Sequence, residues 1–131
     1  MENLQKDNSI PVGYKLGAVQ YFTGNVYLKV LVAPDETTNC SVADVLFEPG
    51  VRNHWHTHPS NQILIVKEGV CYYQEEAGEI QTFLAGEVIN ILPRIKHWHG
   101  ASPDGRMIHT AININTEKGT VTWLEPVADQ K

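Results

Sequence analysis

The sequence predicts an all-β, single-domain protein built as a barrel or sandwich of short antiparallel strands. Three observations lead there. Short apolar or alternating runs recur along the chain, turn-forming clusters bound each of them, and helical periodicity is scarce. At 131 residues, with 42% hydrophobic and 19% charged, the chain has the size and composition of one globular domain with one core.

Residues 1–15 have the polar, irregular character of an N-terminal arm, and the barrel domain is expected over 16–128. The first clear strand candidate is VYLKVLVA (26–33), entered from the turn Thr23-Gly24-Asn25 and left at Pro34-Asp35. CSVADVLF (40–47) follows and stops at Glu48-Pro49-Gly50; its Ala43, Val45 and Phe47 alternate onto one face. QILIVKEGVCYYQ (62–74) divides at Lys67-Glu68-Gly69 into a hairpin, with glycine supplying a positive φ, and Gln62, Leu64 and Val66 share a face. EVINIL (87–92), MIHTAININ (107–115) and TVTWLEP (120–126) complete the set, separated by turns at Pro103-Asp104-Gly105 and Lys118-Gly119.

Several function classes drop out on charge and patterning. The net charge is −5 and no Lys/Arg run exists, which argues against nucleic acid or anionic membrane partners. No stretch of 18 apolar residues is present and the first residues lack the apolar core of a signal peptide, so a cytoplasmic protein is expected. Cys40 and Cys71 are too few for a disulfide scaffold and read as free thiols.

The histidines carry the chemistry. In HWHTHPSNQ (54–62), His54, His56 and His58 occupy every second position, so one strand face could present all three, and a metal at about 2.1 Å could accept two of them. Pro59 ends that strand, since it cannot donate to a ladder. A second cluster, KHWHG, puts His97 and His99 on one face and Trp98 on the other. In MIHTAININ the same alternation groups His109, Ala111 and Asn113. An inward neutral imidazole at His99 or His109 is suited to move a proton; His109 is equally suited to holding a ligand in place.

Gly50, His56-x-His58, Gln62 and Gly69 stand at the spacing of the first cupin motif, with glutamine where glutamate is usual. Gly86 and Leu92-Pro93-Arg94-Ile95-Lys96-His97 resemble the second motif, with Leu92 and Arg94 at its proline and glycine positions and Ala101 at its asparagine position. The resemblance spans about residues 20–126 and implies a double-stranded β-helix, or jelly-roll, barrel with His56, His58, Gln62 and His97 as metal ligands; His54 falls outside that set. Replacing glutamate by Gln62 leaves the full double charge on a divalent ion and strengthens its Lewis acidity. Imidazoles suit Mn, Fe, Ni, Zn and Cu alike.

A narrower pattern, FTG (22–24), FEPG (47–50), WHTHP (55–59), QILIV (62–66), KHWHGA (96–101) and HTAI (109–112), resembles the small cupins related to those fused with carboxymuconolactone decarboxylases. It is also similar to the manganese-dependent cupin hydroxynitrile lyases. That likeness implies a manganese ion on three histidines and a glutamine, proton transfer by His99 and His109, and a pocket shaped by Ala43, Val45 and Asn113. The expectation is a metal-dependent lyase or isomerase on a small carbonyl or hydroxy compound. A quercetin dioxygenase-like oxygenase and a non-catalytic binder of a small ligand or metal are the alternatives. Small cupins dimerise through sheet edges or N-terminal strands, so a homodimer using the 26–33 strand and the arm is expected.

Overall fold

The computed structural model describes residues 9–128. Its strands are β1 (Lys15–Leu16), β2 (Val26–Val32), β3 (Cys40–Phe47), β4 (His56–Thr57), β5 (Gln62–Glu68), β6 (Val70–Glu75), β7 (Gln81–Leu84), β8 (Val88–Ile91), β9 (His97–Ala101), β10 (Met107–Ile114) and β11 (Thr122–Trp123). They form two antiparallel sheets that face each other as a jelly roll, in the orders β1-β2-β3-β10-β5-β8 and β11-β4-β9-β6-β7. Among the described residues no helix is long and apolar enough to cross a membrane.

Alternation along the strands sets which side chains enter the barrel. In β5, Gln62, Leu64 and Val66 are buried while Ile63 and Ile65 are only partly covered. Ile89 and Ile91 of β8 and Cys71 and Tyr73 of β6 do the same from either side. With Val26, Val45, Phe47 and Met107 they make one apolar core. Each such side chain contributes about 1.5–3 kcal/mol by leaving water. β9 is buried on both faces, because Trp98 turns outward yet is covered: its Nε1 donates to Gln74 Oε1 at 2.7 Å and the Arg52 guanidinium stacks 5.5 Å from its ring.

Of the turns that use left-handed backbone, two bear on the site and its flanking strands. Gly69, at φ 79°, joins β5 to β6, and a Cβ there would lie 2.1 Å from the Arg106 carbonyl oxygen, so only glycine fits. Arg94 takes φ 63° where the second cupin motif has glycine, and its backbone N–H donates to the His58 carbonyl at 2.8 Å. That conformation costs an L-residue about 1–2 kcal/mol, and the bond it makes ties the 92–96 turn to the His58 segment.

Of the expected 120–126 strand only Thr122–Trp123 is regular strand, opposite Thr57 and His56 of β4. Two further backbone bonds, Leu124 N–H to the Trp55 carbonyl at 2.8 Å and Trp55 N–H to the Glu125 carbonyl at 3.0 Å, extend the pairing. β7 and β1 were not foreseen in the sequence. The side chains of β7 are mostly exposed, which erases its period, and β1 contributes two residues pairing Lys15 with Leu28 and Leu16 with Tyr27. Of the expected arm, residues 1–8 lie outside the described residues, and the Ser9 carbonyl accepts from Arg106 Nη1 at 3.0 Å.

Candidate metal centre

Short pairing brings the two histidine clusters together. His56 on β4 stands directly opposite His97 on β9, and their ring centroids lie 4.2 Å apart. His58 follows β4 at 5.0 Å from the His56 ring and 5.4 Å from that of His97. Gln62 enters from β5 in the opposite sheet, and His109 from β10 of that sheet, with its ring 4.9 Å from that of His99. All six of these side chains are buried. His54 turns away: its ring meets Tyr21 edge-on at 6.3 Å, outside the cluster.

Backbone carbonyls fix the ring protons. Nδ1–H of His56 donates to the His54 carbonyl at 2.8 Å, Nδ1–H of His97 to the Ile95 carbonyl at 2.8 Å, and Nδ1–H of His58 to the Thr120 carbonyl. A carbonyl only accepts, so the proton sits on Nδ1 in each ring and Nε2 keeps its lone pair. Among the described residues Nδ1 of His109 is buried without a hydrogen-bond partner, and so, at this centre, are Nε2 of His58, Nε2 of His97 and Oε1 of Gln62. Buried acceptors left unmatched are costly. A divalent cation would satisfy the last three together, and imidazole nitrogen with an amide oxygen is a donor set for a borderline metal. The residues therefore fit a metal ion.

Gln62 is itself oriented by its neighbours. Its Nε2 donates to Asn113 Oδ1 at 3.0 Å, and Asn113 Nδ2 donates to Ser41 Oγ at 3.2 Å.

His99 and His109 form a second pair. His109 Nε2 and His99 Nδ1 are 3.1 Å apart, and Asn53 Nδ2 lies 3.2 Å from His99 Nε2 while its Oδ1 accepts from the His99 backbone N–H at 2.9 Å. His56, His97 and His99 also bring one ring nitrogen each within 4.8 Å of one another. Two overlapping histidine sets are thus present, and both nitrogens of His99 already have neighbours whereas Nε2 of His58 and of His97 have none.

Burial keeps every one of these rings neutral. It pushes His97 and His109 down to about 4, and His56 and His99 well below the ordinary imidazole value. The neighbouring rings add to the depression at His56 and His99, while the Ile95 and Thr120 carbonyls oppose it at His97 and His58. Neutral imidazoles are the form that ligates metals and accepts protons.

A cavity of about 440 Å³ opens onto the cluster. Ala43, Val45, Asn113, His99 and His109 line it, as expected from the alternation of β3 and β10, and so do His56, His58 and Gln62. Its upper wall is apolar, from Leu28, Val30, Val32, Val42 and Val121. The sequence reading missed Asn53, which bonds to His99, and Trp123, whose ring sits 4.8 Å from that of His56 and stacks on Tyr21 at 4.6 Å. The alternation of Val121 and Trp123 could have pointed to the latter; no pattern marked Asn53.

No model of a known protein family matches the chain. It is 39% identical over 115 residues, 88% of both chains, to the (R)-mandelonitrile lyase of Granulicella tundricola. It superposes on a cupin-like protein of Thermotoga maritima at 42% identity, covering 93% of this chain and 92% of that one, with a TM-score of 0.85. A double-stranded β-helix domain protein of Klebsiella pneumoniae, 20% identical with a TM-score of 0.67 over 79% of this chain and 87% of that one, shares the fold. With the jelly roll, the buried histidine cluster and these relatives in agreement, the chain belongs to the cupin family.

Proposed function

We propose that the protein is a metal-dependent lyase acting on a small hydroxy or carbonyl compound. In this reading His56, His58, His97 and Gln62 hold a divalent ion, and His99, aided by His109, moves the proton. The observation that carries it is the group of buried, partnerless acceptors at Nε2 of His58, Nε2 of His97 and Oε1 of Gln62, beside a neutral histidine pair at the floor of an apolar cavity. The 39% identical relative named (R)-mandelonitrile lyase supports a cyanohydrin, an aldehyde carrying added cyanide, as the first substrate to test.

A bound divalent ion would supply Lewis acidity toward the substrate oxygen. We assign manganese as the first ion to test, with Fe, Ni, Zn and Cu also accepted by such a donor set. The cavity floor receives the polar end of the substrate, and Leu28, Val30, Val45 and Phe47 cover an apolar body. His99 takes the hydroxyl proton on Nε2, where the substrate hydroxyl displaces Asn53 Nδ2. As the carbonyl forms, the carbon–carbon bond breaks with its electron pair going to cyanide, which regains the proton from His99 and leaves as neutral HCN. His109, 3.1 Å from His99 Nδ1, fixes the ring and shares the proton.

Metal content by mass spectrometry and aldehyde release from mandelonitrile test this in the untagged protein. His58→Ala loses metal and turnover together. His99→Ala keeps its metal and loses turnover about 10²–10⁴-fold, the usual contribution of a proton-transfer group. Metal lost from His99→Ala but retained by His58→Ala would make His56, His97 and His99 the ligands instead. A wild-type protein that takes up no metal on reconstitution would overturn the proposal altogether.

A further inference from the structure

Gln62 can serve a cation only through its oxygen. An amide side chain has one accepting end and one donating end, nearly identical in shape, and a half-turn about its last torsion exchanges them. Turned the other way, Gln62 would aim an N–H₂ group at the proposed ion and repel it. Something must decide between the two orientations.

We infer that Asn113 is a positioning residue that accepts from Gln62 Nε2 and so favours Oε1 toward the metal centre, while Ser41 keeps the Asn113 side chain in place without fixing which way round it stands. The inference rests on the reading of Gln62 as a ligand. Three adjacent strands carry the relay: Asn113 of β10 stands directly opposite Gln62 of β5 on one side and Ser41 of β3 on the other. Directly opposed side chains on one sheet face have Cβ atoms about 4.5–5.5 Å apart, the reach of a single bridging amide. The bonds run in one direction: Gln62 Nε2 donates to Asn113 Oδ1 at 3.0 Å and Asn113 Nδ2 donates to Ser41 Oγ at 3.2 Å. With Nε2 engaged, Oε1 faces inward and lacks any hydrogen-bond partner.

The polarity of the relay has a consequence. A serine hydroxyl can donate or accept, so Ser41 tolerates Asn113 either way round. A cation on Gln62 Oε1 removes that freedom, since Gln62 must then give its N–H to Asn113. An aspartate at 113 would remove it without a cation, because an ionised carboxylate only accepts. Leucine at 113 would fill similar space and leave Gln62 Nε2 unmatched.

Metal affinity measured by competition against a chelator of known Mn²⁺ affinity tests this, with the thermal melt of each variant checking that it folds. Asn113→Leu weakens Mn²⁺ binding about 10–100-fold, the loss typical when a residue orienting a ligand is removed. Asn113→Asp binds as tightly as wild type or more tightly, because it restores the acceptor and adds a negative charge. Ser41→Ala weakens binding by a smaller factor than Asn113→Leu. Wild-type affinity in Asn113→Leu together with lost affinity in Gln62→Ala would refute the positioning role while leaving Gln62 a ligand, as would an Asn113→Asp variant as weak as Asn113→Leu. Wild-type affinity in Gln62→Ala would refute the ligand reading on which the inference rests.

Discussion

Acid should destabilise the metal-free protein steeply, well before its carboxylates titrate. His97 and His109 have folded-state values of about 4 against 6.5 for an ordinary imidazole, chiefly because both are buried. Between pH 6.5 and 4 the unfolded chain binds protons at these rings that the folded chain refuses. Unfolding therefore takes up protons, so stability is full above pH 6.5 and falls as the pH drops toward 4. One pKa unit is worth about 1.4 kcal/mol. At pH 4.5 each ring thus forfeits about 2.5 kcal/mol, or about 5 kcal/mol for two acting independently, against a total stability of about 5–15 kcal/mol for a domain. His56 and His99, also pushed well below the ordinary value, act in the same direction. The assay is urea unfolding of chelator-stripped protein at pH 7.5, 6.5, 5.5 and 4.5. With a slope of about 1–3 kcal/mol per molar urea, the midpoint should fall by about 2 M or more, or the protein should be unfolded at pH 4.5 without urea. His109→Gln should flatten the dependence, which separates the imidazoles from the carboxylates. A midpoint at pH 4.5 within about 0.5 M of that at pH 7.5 would refute the reasoning.

Two backbone predictions follow from the left-handed turns. Gly69→Ala puts a Cβ 2.1 Å from the Arg106 carbonyl oxygen and adds left-handed strain at φ 79°. It should cost about 3 kcal/mol or more and lower Tm by about 10 °C; a melt within about 2 °C of wild type would show that the β5–β6 turn relaxes freely. Arg94→Gly removes strain of about 1–2 kcal/mol at φ 63° but adds about 0.5–1 kcal/mol of backbone entropy cost. The net gain should be between zero and about 1.5 kcal/mol, read as a higher urea midpoint, and a loss of more than about 0.5 kcal/mol would mean that the Arg94 side chain makes a contact worth more than the strain.

The inward faces were legible because a strand has period two. Alternation placed His109, Ala111 and Asn113 on one face, and separately Ala43, Val45 and Phe47 on another, and the structure puts all six on the lining of one cavity. The same rule failed for β7, whose exposed Gln81, Thr82 and Leu84 leave no buried face to read. It also placed His54 with His56 and His58, whereas the His54 ring meets Tyr21 edge-on instead of joining the cluster.

What a one-dimensional pattern cannot carry is the state of each ring nitrogen. The family resemblance divided the five buried histidines into ligands (His56, His58, His97) and proton carriers (His99, His109), and in the structure the difference among them lies in what meets Nδ1. For His56 and His97 that partner is a carbonyl two residues back, at His54 and Ile95. For His58 it is Thr120, sixty-two residues along, brought near by the pairing of β11 with β4. Any residue type supplies a carbonyl, so no letter in the sequence records these bonds. His99 meets another imidazole and an amide instead, and neither of its nitrogens is left without a neighbour. The amide end that Gln62 presents depends likewise on cross-strand register, which follows from how three strands align rather than from any one of them. Residue type and spacing thus nominate ligands, while the backbone around them decides which lone pairs remain to be used. On that ground the set containing His58 and Gln62 outranks the one containing His99, and metal content in His58→Ala against His99→Ala is the comparison that decides between them.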